Sequence, residues 1–96
     1  MYIVSLTYTA PLETVDSHLD AHVAFLKKHY SLGNFLASGR KVPRTGGVIL
    51  ANAASRTQLD DIVKEDPFYI HGVASYEITE FVASMTCQEM SFVQNK

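Results

Sequence analysis

Cysteine occurs only once, at position 87, so no internal disulfide can form. That fits a reducing, cytoplasmic setting. Cys87 sits beside polar residues near the end of the sequence and lacks the signature of a catalytic thiol. Positive charge is also scarce: eight Lys and Arg face ten Asp and Glu, for a formal net charge of −2. Few basic residues, outnumbered by carboxylates, leave no footprint for nucleic acid. No apolar run approaches the ~18 residues needed to cross a membrane, and no charged segment leads into an apolar one at the start. Neither anchor nor signal peptide is expected. Repeats, linkers and low-complexity stretches are absent.

What is present is ordinary globular composition, 47% hydrophobic and 19% charged over 96 residues. One domain spanning 1–96 is expected, with 85–96 as a C-terminal arm or tail of weak periodicity. Residues 1–9, "MYIVSLTYT", are rich in β-branched and aromatic side chains and read as a strand. Pro11 suits the entry to a helix. Leu12, Val15, Leu19, Val23, Leu26 and Tyr30 then recur at steps of three and four, which predicts one long helix stopped by Gly33. Residues 34–42 and 46–53 read as two short strands joined by "PRTGG". Ser55 and Gln58 have capping-box spacing ahead of a second helix, and Pro67 should end it at Asp66. Residues 73–84 alternate as a last strand.

The order is β-α-β-β-α-β, the ferredoxin-like α+β arrangement, with an antiparallel sheet and two helices on one face. The other face is expected to expose part of the set Tyr2, Val4, Leu6, Tyr8, Ile49, Ala51 and Phe81. A second copy packing through that face would cover it, so a homodimer is expected.

The long helix carries an anomaly. At about 100° per residue, His22 points between Leu19 and Leu26, and His18 and His29 lie within about 40° and 20° of it. Three readings are open at this point. His22 is a core histidine bonded to backbone; or His18 and His22, at i and i+4, are two ligands of a metal whose third ligand is not signalled; or His22 pairs with a carboxylate and moves protons. The best carboxylate is Asp66, because Pro67 forces the chain out of helical geometry there and lets the side chain turn back towards the first helix.

The stretches "AHVAFLKKHYSLGNFLASG", the Gly-rich turn, "SRTQLDDIVKEDPF" and "YEITEF" together resemble the YciI-like family over nearly the whole chain. The resemblance implies a ferredoxin-like fold of the dimeric α+β barrel type. It also implies a paired His and Asp in a pocket, which map onto His22 and Asp66 and make the dyad the favoured reading. One departure stands out: family members commonly follow "SG" with proline, whereas Ser38 and Gly39 here precede Arg40. A guanidinium there favours an anionic or phenolate-bearing ligand.

Some YciI-like proteins eliminate hydrogen chloride from hydroxylated, chlorinated rings. The expected activity is that of a cofactor-independent lyase, with His22 as general base, Asp66 orienting it, and Ser38, Arg40, Arg44 and His71 as candidate substrate or leaving-group contacts. Neither metal nor redox cofactor is expected. The alternative is a non-enzymatic module of the same fold that binds a small ligand. Oxygen-using monooxygenases share the fold, but no feature of the chain recommends that reading.

Overall fold

Alternation in "YIVSLTY" sends Tyr2, Val4 and Leu6 to one face of a strand and Ile3, Ser5 and Thr7 to the other. In the computed structural model, which describes residues 1–96, this is β1 (Tyr2–Tyr8). It is followed by α1 (Leu12–Ser17), α2 (Leu19–Ser31), β2 (Phe35–Arg40), β3 (Gly46–Ala51), α3 (Arg56–Val63), α4 (Pro67–Ile70) and β4 (Ala74–Glu80). The strands form one sheet in the order β2-β3-β1-β4, antiparallel at every pairing. This is the expected ferredoxin-like α+β arrangement.

The helices bury one face. Val4, Leu6 and Ile49 from the sheet meet Val15 of α1, Phe25 of α2, Leu59 and Ile62 of α3 and Phe68 of α4. Each such side chain contributes roughly 1.5–3 kcal/mol relative to exposure. The residues expected on the open face are therefore mostly in the core: Tyr2, Val4, Leu6, Ile49 and Ala51 are buried, and of that set only Phe81 is exposed. The alternation holds, and its apolar side is the one the helices cover. Ile3 and Val48, each 39% exposed, and half-buried Leu50 share the open face with Ser5, Thr7, Glu77 and Thr79.

The long helix is two helices. The chain leaves helical geometry at His18 (φ −109°, ψ 4°). Just before the break, Ser17 Oγ donates to the Thr14 carbonyl at 2.6 Å, a local bond that competes with the helix and bends it. Angular counting does not carry across such a break. On α2 the buried side chains are Phe25 and His29, while Leu19 and Val23 are more than one-third exposed. The second helix also stops early, at Val63. Asp66 then caps a new one, its side chain accepting from the Phe68 N–H with Pro67 at the first position.

Two local features shape the sheet under the helices. A bulge between Phe35 and Ala37 shifts the pairing of β2, so that Ala51 faces Phe35 while Ile49 faces Ser38 and Gly47 faces Arg40. One extra residue reverses the facing of everything after it. Phe35 thus reaches the core, and Ser38 and Arg40 stand on the same helix-covered side. Gly46 lies so close to β1 that a Cβ there would overlap the Leu6 carbonyl, so only glycine fits.

Residues 88–93 form a 3₁₀ turn rather than a free tail (Gln88–Val93). Val93 is buried with Met1 and Ala83, against Leu36 and Leu50, so this segment covers one corner of the otherwise open sheet face.

Candidate active site

The end of the sheet row that runs Tyr76, Leu6, Gly47, Arg40 across β4, β1, β3 and β2 sits beneath α2 and α4. Asp66 hangs over it, fully buried, because Pro67 starts α4 and turns the residue before it inward. Its carboxylate accepts three bonds. Oδ1 takes the Phe68 N–H at 2.9 Å and a ring nitrogen of His22 at 2.8 Å, and Oδ2 takes the Tyr76 hydroxyl at 2.5 Å. A carboxylate serving as acceptor leaves Nδ1 of His22 to carry the proton of their bond. Nε2 lies on the other side of the ring and, in the neutral imidazole, is the nitrogen with the lone pair. It makes no hydrogen bond within the protein and is not sealed from solvent. The imidazole is further fixed by stacking on Phe68, with centroids 4.0 Å apart and planes within 5°.

Burial first, and then the hydrogen bond to Asp66, push the Tyr76 hydroxyl far above its ordinary range. It remains a donor at any physiological pH and takes no part in proton transfer. Its work is to hold Asp66.

His22 borders a cleft of about 350 Å³ between α2 and the β2–β3 edge. Leu6, Leu19, Val23, Leu26 and Phe68 make its apolar wall, and Gly47 leaves its floor without a side chain. The apolar stripe legible in the sequence of α2 faces this cleft. Ser38, Arg40 and Arg44 border it too. Ser38 Oγ shares a hydrogen bond with the Tyr30 hydroxyl at 2.5 Å, tying β2 to α2. Arg44 lies 5.6 Å from the centre of the Tyr8 ring and donates to Asp16 of α1 at 2.5 Å. That hydrogen bond holds the Asp16 carboxyl below its usual range and raises the guanidinium. Arg40 pairs with Gly47 through its backbone, and its side chain forms neither a hydrogen bond nor an ion pair within the protein.

His71 does not border the cleft. It closes α4 and stacks on His18, ring on ring at 4.0 Å and 11°. His29 is buried on the core side, where Nδ1 accepts from Asn34 Nδ2 at 3.1 Å and Nε2 donates to Glu65 at 3.0 Å. Sequence reasoning overlooked Tyr76, Phe68, Tyr8 and Tyr30. Tyr76 carried a usable signal, since its alternation placed it on the same face as Ile78.

Residues 1–82 match the model of the YCII-related domain. The chain belongs to the YCII-related family. Among solved structures, this YCII-related protein is similar to 5-chloro-2-hydroxyhydroquinone dehydrochlorinase (TftG) from Burkholderia phenoliruptrix AC1100, determined in complex with 2,5-dihydroxybenzoquinone. The TM-score is 0.71 at 18% identity, over 84% of this chain and 93% of that one. At that identity the likeness establishes the fold. No curated protein matches the sequence.

Proposed function

We propose that this YCII-related protein is an enzyme that uses His22 and Asp66 for general acid/base chemistry on a small hydroxylated or chlorinated aromatic ring, in the manner of a dehydrochlorinase. The observation that carries the reading is the free Nε2 of a histidine whose other nitrogen is held by a buried, triply bonded carboxylate, at the wall of an apolar cleft. Imidazole takes and returns protons near neutrality, and a carboxylate on the far nitrogen fixes the tautomer and stabilises the imidazolium that forms. A cleft of about 350 Å³ lies within the range of small-molecule sites. The relation to a fold neighbour named as a dehydrochlorinase of a chlorinated hydroquinone supports the substrate class.

In this scheme Nε2 of His22 takes a proton from a ring hydroxyl. That proton is returned to the ring carbon bearing chlorine, which becomes tetrahedral as the ring ketonises. Loss of the proton of a second hydroxyl then forms its C=O, shifts the ring double bond onto the C–Cl carbon and breaks the C–Cl bond with its pair leaving on chloride. The second proton is released to water. The sum is loss of HCl, with no external oxidant or reductant. Phe68 and the aliphatic wall pack the ring, and the cationic side chains stabilise departing or developing negative charge. His71 is not among the residues that line the cleft, so no contact with the ring is assigned to it.

The same reading includes a homodimer through the open sheet face, supported by the exposure of Ile3 and Val48 there. It also includes cytoplasmic residence, which the single free Cys87 fits.

The test is chloride release from chlorinated hydroxyquinols by wild type and His22→Asn. A positioned base typically contributes about 10²-fold or more, so the variant should lose at least that much turnover. A loss under tenfold would remove His22 as the base.

A further inference from the structure

The protein carries net negative charge, yet the cleft has no carboxylate on its lining and two guanidiniums. Residues 40–44 hold three of the eight basic side chains, and they have different tasks. Lys41 donates to Thr7 Oγ1 at 3.3 Å, and Arg44 is engaged by Asp16. Arg40 alone has no partner. Its facing follows from the β2 bulge, which puts it on the cleft side in the same row as Gly47 and Leu6. Arg40 is exposed on the edge strand, but a guanidinium that is only solvated there needs neither this facing nor a carboxylate-free wall.

The row also sets a scale. Neighbouring strands lie about 4.8 Å apart, so Arg40 begins roughly 10 Å from Leu6, with bare Gly47 between. That gap suits one six-membered ring with a substituent at each end. The guanidinium fork matches a planar carboxylate through two parallel bonds.

We infer that the cleft is specific for an aromatic hydroxy acid: the ring lies over Gly47, its carboxylate is bound by Arg40, and its hydroxyl faces Nε2 of His22. Arg40 is then the specificity-determining residue, while Arg44 is a latch between α1 and the β2–β3 loop. This deepens the acid/base reading and rests on it for the hydroxyl end alone.

The experiment measures binding of 2,5-dihydroxybenzoate and its uncharged amide, 2,5-dihydroxybenzamide, by NMR titration of wild type, Arg40→Gln and Arg40→Lys. Wild type should prefer the acid by about tenfold or more, the usual yield of a hydrogen bond to a charged group. Arg40→Gln should abolish that preference while holding the amide within about twofold, and Arg40→Lys should restore part of it. The amide serves as an internal check that the cleft is intact. An undiminished preference in Arg40→Gln, no preference in wild type, or no binding of either compound at millimolar concentration each overturns the inference. The outcome is separable from the catalytic reading. An acid preference that depends on Arg40 in a protein showing no turnover would retain the anion site and remove the enzyme.

Discussion

Tyr76 donates its hydroxyl to Asp66 at 2.5 Å, so the carboxylate that holds His22 is itself held from the sheet. The three side chains form a relay of positions running from β4 through the α3–α4 connection to α2. Each link depends on the burial of the next, because a carboxylate without water must find its donors within the protein.

Removing the first link tests the chain. Tyr76→Phe leaves Asp66 Oδ2 without its donor in a buried site, which should cost about 1–3 kcal/mol of stability in urea unfolding. The pH dependence carries a sign. The folded-state pKa of Tyr76 lies above the ordinary value of 10.0, so its contribution is whole below pH 10 and is lost as pH rises beyond it. Wild type should therefore lose stability above pH 10 more steeply than Tyr76→Phe. Parallel alkaline curves would mean that the hydroxyl is not held as described. In the proton NMR spectrum, the His22 Nδ1–H signal should move in Tyr76→Phe and vanish in Asp66→Asn.

A second carboxylate–histidine latch lies next to the first. Glu65 precedes Asp66 and is bound by Lys28 at 2.7 Å and by His29 at 3.0 Å. The Lys28 bond chiefly, then the His29 bond, holds the Glu65 carboxyl below its ordinary value of 4.5. A depressed pKa gives stability that is present above 4.5 and lost as pH falls through the folded value. Glu65→Gln should therefore show a shallower acid limb than wild type when urea midpoints at pH 7 and pH 3 are compared by circular dichroism. Asp16, depressed by Arg44, acts in the same direction and leaves a residual slope. Equal slopes in the two proteins would show that the latch does not persist in solution. Glu65 is largely exposed, so the effect is modest.

The contact of His22 with Asp66 was legible because two strong local rules met there: helical phase placed the ring on an inward edge, and Pro67 forced its neighbour out of the helix. The topology was legible from order and alternation. Other features depend on events that periodicity does not record. Which side of β1 the helices cover is a tertiary choice, so alternation alone does not place Tyr2, Val4 and Leu6 in the core, where they lie. The break at His18 arises from a serine bond to a carbonyl and a stack on His71, neither visible as a breaker residue. The β2 bulge has no proline or asparagine to announce it, yet it decides that Ser38 and Arg40 face the cleft. The closing segment lacked a pattern because a 3₁₀ turn anchored by Val93 needs only one buried side chain.

The open sheet face yields the last test. Leu36 and Leu50 at one corner are covered by the segment around Val93, whereas Ile3 and Val48 remain exposed beside Ser5 and Thr79. In a homodimer packed face to face these two would lie near the centre, where apolar contact is strongest and a charge is most costly. Wild type should sediment as a dimer in analytical ultracentrifugation, and Val48→Asp should sediment as a monomer. At 39% exposure, Val48 can carry a carboxylate into water in the monomer, so the variant should retain its helical circular dichroism. A Val48→Asp protein that remains dimeric would move the interface elsewhere, and a monomeric wild type would remove the dimer altogether.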